Sequence, residues 1–194
     1  MSRNILSALV IAPIVLVLTD AAAVAQSNVW THPGGLIRVD LAPGIEPIPN
    51  EISNPKQTTF RVRDPATGEA VGLCALIVPA PGERFAPDVW AQHITGLQSP
   101  EMASKLASAQ GYKLLRLVST QQFTSRAGYA GFVQVIERQS NDSGARQTAV
   151  FGVTALAPGR QMLAQCNTTL THPDGFTSAR IESLFRFIGS ARLP

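Results

Sequence analysis

The chain has 194 residues, of which 45% are hydrophobic and 15% charged, and a formal net charge of +3. That length can carry one domain with a real core. The charge excess is modest and no basic run is clustered. Nucleic acid is therefore not expected as a partner, and charge alone makes no case for anionic lipid or cell-wall polymer.

The chain opens on what reads as an export signal. Arg3 precedes an apolar run over residues 5–18, and Ala21, Ala22, Ala23, Val24 and Ala25 supply small residues for a cleavage site. The Ala23-x-Ala25 pattern puts the expected cut between Ala25 and Gln26. The run is short for an uncleaved anchor and contains Pro13. No cysteine lies near the cut, so a lipid-anchored start is not expected. The expected product is one periplasmic or secreted domain over residues 26–194, with no stable membrane insertion. Its two cysteines, Cys74 and Cys166, would then meet an oxidising compartment. They are far apart and form no C-x-x-C, which favours one structural disulfide over a redox or nucleophilic thiol. Closing a loop of roughly 90 residues stabilises by about 4–5 kcal/mol at most.

Residues 26–35 are polar and turn-forming, with one large side chain, Trp30. Ile37, Val39 and Leu41 alternate with Arg38 and Asp40, the pattern of a half-buried strand, and Pro43-Gly44 ends it. Residues 45–56 hold Pro47, Pro49, Asn50 and Pro55 and read as a surface loop. Thr58, Phe60 and Val62 alternate with Thr59, Arg61 and Arg63 in a second strand. Residues 71–78 are apolar on both parities, which predicts a central strand covered on both faces. Trp90, His93, Ile94 and Leu97 then mark one stripe of a helix opened by Pro87. Ser99, Pro100 and Glu101 start a second helix, with Met102, Leu106 and Ala109 as its apolar side and Gly111 past its end. Residues 114–119 return to strand.

The rest is organised around residues 147–170. Ala149, Phe151, Val153 and Ala155 share one face of a strand. Ala157-Pro158-Gly159-Arg160 turns the chain, and the returning strand sets Met162, Ala164 and Cys166 against Gln161, Gln165 and Asn167. With residues 129–138 this predicts a three-stranded antiparallel meander. Asp174 or Thr177 can cap a last helix carrying Ile181, Leu184, Phe185 and Ile188. The expected fold is α+β, a single domain. Its mainly antiparallel sheet has six or seven strands, with helices on both faces.

This order resembles the PsbP-like family, the extrinsic proteins of the photosynthetic oxygen-evolving complex and their bacterial relatives. The similar features are the opening strand Leu36-Ile37-Arg38-Val39-Asp40-Leu41 with its Pro43-Gly44 turn, the helical middle, the meander, and the closing helix Ile181-Glu182-Ser183-Leu184-Phe185-Arg186-Phe187. The resemblance implies a PsbP-like fold and a binding or assembly role rather than catalysis. It brings no functional residues, because no short family motif is matched.

No catalytic signature stands out. There is no G-x-S-x-G, Ser104 and Lys105 are adjacent rather than S-x-x-K, and H-E-x-x-H and phosphate-binding glycine loops are absent. His93 reads as an edge-of-core residue. His32 and His172 each precede a proline, and with Asp174 they would make a metal site only if the fold brought them together. Asp40, Glu46 and Glu51 read as solvated surface rather than a glycosidase pair. Arg61 and Arg63, with Arg38 nearby, could hold an anionic ligand, but such arginines more often cover a sheet edge or pair with acids. Trp30 is either part of a binding surface or a plug on the core. The expectation is thus a non-catalytic module for an envelope protein or component, without cofactor or metal. The alternatives are an envelope hydrolase with a dispersed active site and a small-molecule carrier with an apolar cavity.

Overall fold

The computed structural model describes residues 28–48 and 56–194. The expected signal segment with its Ala25–Gln26 cut, and residues 49–55 of the expected loop, lie outside the described residues. The fold is α+β. Seven antiparallel strands form the main sheet in the order β3-β4-β5-β9-β8-β7-β6, and β1 and β2 make a separate two-stranded sheet.

Strands β1 (Asn28–Thr31) and β2 (Arg38–Leu41) pair antiparallel, Trp30 opposite Val39. The polar leader is therefore a strand, formed because β2 offers it a partner. Strand β3 (Ile45–Pro47) pairs with β4 (Gln57–Arg63), so the first residues of the expected loop form a short sheet edge. Strand β5 (Ala70–Ile77) lies between β4 and β9 (Arg160–Thr168). Helices α1 (Pro87–Leu97) and α2 (Pro100–Ala109) follow. Strands β6 (Tyr112–Thr124), β7 (Ala130–Ser140) and β8 (Arg146–Ala157) complete the sheet, and α3 (Ser178–Gly189) closes the chain.

Local chemistry explains the boundaries. Ser99 caps α2 by accepting from the Met102 N–H, with Pro100 in the first turn, and Gly111 takes φ 78° just past the end. Thr177, not Asp174, caps α3 through the Arg180 N–H. Pro158-Gly159 closes the β8–β9 hairpin, where Gly159 has φ 73°.

The main core lies between the sheet and α3. Leu184, Phe187 and Ile188 are fully buried against Phe60, Leu76, Val135 and Met162. Each such side chain contributes roughly 1.5–3 kcal/mol. Gly152 lets α3 come close, since a Cβ there would lie 2.8 Å from Ile188. Cys74 and Cys166 are register partners on β5 and β9, with Cα atoms 3.9 Å apart and sulfurs at 2.04 Å.

The opposite face carries α1 and α2. Trp90 and Ile94 pack on Phe132 and Ala155, and the Trp90 Nε1–H donates to the Ala130 carbonyl at 2.8 Å. In α2 the buried side is Ala103 and Ala107, seated on Ile136 and Ala149, while Leu106 is exposed. The expected Met102–Leu106–Ala109 side is thus displaced, because small side chains allow the helix to lie close to the sheet. These helices pack on β6 to β8, and the α2 cap Gln110 reaches Gln165 at the near side of β9. Among the described residues central strand β5 is therefore covered on one face only: Cys74 and Leu76 are buried, while Leu73 is 46% exposed. The expectation of cover on both faces is corrected there.

Candidate functional site

The residues singled out from sequence are mostly bound into structure. Trp30 packs edge-on to Phe60, ring centroids 5.2 Å apart, and sides with the plug reading. Arg63 donates to Glu46 Oε2 and to the Gly68 carbonyl, each at 2.8 Å. Arg61 is half-buried on β4, opposite Leu73, and has no ion-pair partner among the described residues. Asp40 holds Arg192 at 2.8 Å and Arg126 at 3.3 Å. His93 is exposed and stacks on Phe85. His32 is buried, its Nδ1 accepting from the Gly34 N–H. His172 lies 3.4 Å from Glu69. Among the described residues no three metal-ligating side chains gather.

Two arginines that the sequence did not mark are buried without a carboxylate. Arg180 donates to the Pro43 and Arg63 carbonyls at 2.7 and 2.6 Å. Arg138 is 1% exposed. It donates to Gln110 Oε1, Gln147 Oε1 and Asn167 Oδ1, and its guanidinium sits 3.8 Å over the Tyr112 ring. Burial pulls its pKa below the ordinary arginine value. Because these donors are already taken up by amides, Arg138 acts as the centre of a closed polar layer.

The open chemistry lies at the other edge of the sheet. Among the described residues strand β6 is an outer strand, paired only with β7. Register shifts interrupt its ladder near Leu115 and Val118, and residues 119–124 then pair regularly, Ser119 with Val135 through Thr124 with Ala130. Helix α3 stops short of this strand on one face and α1 on the other, so a cleft lies over each face. The α3-side cleft holds about 350 Å³. Its floor is Val133, Phe123 and Phe185, and Arg126 and Arg186 stand at its rim. The α1-side cleft holds about 250 Å³ and presents Thr95, Gln98 and Gln122 beside Ile94. Phe123 and Thr124 border both clefts, which therefore meet at the strand edge.

Phe123 owes its place to a glycine. It lies opposite Gly131, and a Cβ there would come within 2.6 Å of the ring. Arg126 is held by Asp40, and Arg186 by Glu182 at 3.0 Å one helical turn earlier. Both arginines are mostly exposed, so these pairs are weak and can exchange for another acid. Sequence reading ended this strand at Ser119. The following Thr120, Gln121 and Gln122 carry no burial pattern. The available signal was charge: from Tyr112 to Arg126 the chain has Lys113, Arg116 and Arg126 and no acid.

No family model and no curated protein matches the chain. Several solved structures are similar in part, two of them as follows. One, from Bacteroides thetaiotaomicron, is 11% identical over 87% of this chain, with a TM-score of 0.40. The chain spans about half of that protein, 49%. The other is LpqN of Mycobacterium tuberculosis, reported as involved in cell envelope biogenesis. It is 10% identical over 81% of this chain and 83% of its own, with a TM-score of 0.38. The PsbP-like resemblance rests on the pattern of elements alone.

Proposed function

We propose that this chain, released from its signal between Ala25 and Gln26, is an extracytoplasmic, non-catalytic binding or assembly module for an envelope protein or component. Its binding site is the β6 edge. The observation that carries the reading is a regular strand edge over residues 119–124 with a cleft on each face. Such an edge offers unpaired backbone groups, and clefts beside it offer selectivity. A cysteine pair at bonding distance suits an oxidising compartment. Among the described residues no helix is long and apolar enough to cross a membrane. The hydrolase alternative has one observation in its favour, His172 lying 3.4 Å from Glu69 in an open groove of about 340 Å³, but among the described residues that groove is lined by no serine or cysteine nucleophile. The carrier alternative predicts an apolar chamber, whereas both clefts are open grooves.

Site-specific photo-crosslinking tests the reading. The full chain is expressed in its own host with a photoreactive phenylalanine at Gln121, and in a second experiment at Arg61 on the uncovered β4–β5–β9 face. One reproducible envelope adduct from position 121, absent from position 61, is the expected result. No adduct at 121, or equal labelling at both positions, overturns it.

A further inference from the structure

We infer that the β6 edge takes an extended, acidic segment of a partner protein as an eighth strand, with alternate side chains entering the two clefts. The inference rests on the binding-module reading and specifies its partner chemistry. Strand addition joins main chain to main chain along an edge, and pockets on the two faces read alternate side chains. Both parts are present here. Residues 119–124 form an uninterrupted ladder with β7, and among the described residues no strand pairs with their outer side. Gln121 lines the α3-side cleft and Gln122 the α1-side cleft, so the strand's own alternation already points into both.

The clefts differ in chemistry, which sets the pattern of the partner. On the α3 side an apolar floor ends in Arg126 and Arg186. A side chain with an apolar stem and a carboxylate tip, such as glutamate, fits that gradient, and a leucine fits its floor. On the α1 side Gln122 donates to Gln98 Oε1 at 2.9 Å and Thr95 to the Ala91 carbonyl at 3.0 Å, a neutral lining whose remaining donors and lone pairs suit small hydroxyl side chains. The matching segment therefore alternates glutamate or leucine with threonine or serine.

Charge selects this occupant over a second copy of the chain. A second copy would bring the same Arg126 and Arg186 rim, with no acid between Tyr112 and Arg126 to meet it. With only basic charges from Tyr112 to Arg126, self-pairing is disfavoured and an acidic strand is favoured. The two register shifts bend the strand upstream, which confines pairing to the regular stretch.

The test uses the mature chain and four fluorescent peptides: Glu-Thr-Leu-Thr-Glu-Thr, its lysine counterpart Lys-Thr-Leu-Thr-Lys-Thr, and the glutamate peptide N-methylated on alternate residues in each of the two parities. Both N-methyl registers are made, so one of them must block the edge. Binding is read by anisotropy, and amide hydrogen exchange is followed at residues 119–124. The glutamate peptide should bind and slow exchange there. It should lose at least about tenfold in affinity with the lysine counterpart, with one N-methyl register, and with Arg186→Glu protein. Arg186 is exposed on α3, so this variant keeps the fold, and its thermal unfolding checks that. No binding at millimolar peptide, binding indifferent to N-methylation, or unchanged exchange at residues 119–124 overturns the inference. If crosslinking at Gln121 still captures an envelope partner, strand addition alone has failed. If both experiments are negative, the binding-module reading fails with it.

Discussion

The two ends of the main sheet are finished in different ways. At one end β3 has three residues, contains Pro47, and is braced by Arg63–Glu46 on its strand neighbour. Behind it Arg180 joins the Pro43 turn to the Arg63 carbonyl, and the Cys74–Cys166 pair ties β5 to β9. At the other end β6 has 13 residues, an Arg116–Glu137 ion pair to its neighbour β7 but no disulfide among the described residues, and clefts over both faces. Proteins commonly keep sheet edges short, covered or charged. The β3 end uses shortness, proline and a buried clamp. The β6 end uses basic side chains and two irregularities, and leaves six residues regular between helices that stop short of it. The braces run from the first end to the middle of the sheet, and the open edge lies at the second.

Removing the cross-link should have the largest effect. Cys74→Ala with Cys166→Ala is expected to cost up to about 4–5 kcal/mol, from the freed loop of roughly 90 residues. Urea unfolding gives the loss, and hydrogen exchange should rise most in β4 and β5. Below its unfolding midpoint the variant should still hold the glutamate peptide at β6. A variant that loses β6 binding while remaining folded would show that the two ends are coupled rather than separate.

Next in size is Arg180→Met. It keeps most of the stem volume but strips the Pro43 and Arg63 carbonyls of their donor. Two part-buried acceptors left unpaired predict a loss of about 1–3 kcal/mol. The same substitution should raise exchange in β3 and leave β6 protection unchanged. A loss below about 0.5 kcal/mol would mean that water replaces the guanidinium and that Arg180 is no clamp.

How far the sequence speaks follows the same division. The β8–β9 hairpin was legible because alternation and Pro158-Gly159 turn chemistry are local. So were the Ser99 cap and the Leu184–Ile188 contacts of the last helix. What failed depended on distant parts. Asn28–Thr31 became a strand only because β2 lies beside it. Leu73 was read as covered because its strand is apolar, yet cover depended on how far α1 and α2 extend. Ala103 and Ala107 outrank Leu106 because small residues permit close approach, an effect that hydrophobicity alone does not signal. The β6 site was hardest to see. An exposed edge has no burial pattern, and its clefts exist through the placement of two helices distant in sequence. Trp30, Arg61 and Arg63 were conspicuous as residues, but Trp30 packs on the core and Arg63 is taken up by Glu46 and Gly68.

The most local break is Gly131→Ala. Gly131 faces Phe123 across the β6–β7 ladder, and the added methyl would sit 2.6 Å from the ring. The ring is the far end of a side chain and can turn away, so backbone pairing survives. Overpacking of this kind costs about 1–3 kcal/mol. The functional consequence is larger than the structural one, because Phe123 borders both clefts and forms part of the α3-side floor. Peptide affinity should fall severalfold while exchange in β4 and β5 stays as it was. Phe123→Ala distinguishes the two effects. It removes the ring without the clash, so it should also weaken the peptide, and combining it with Gly131→Ala should restore part of the lost stability. Unchanged peptide binding in both single variants would remove Phe123 from the site and leave the arginine rim as its only determinant.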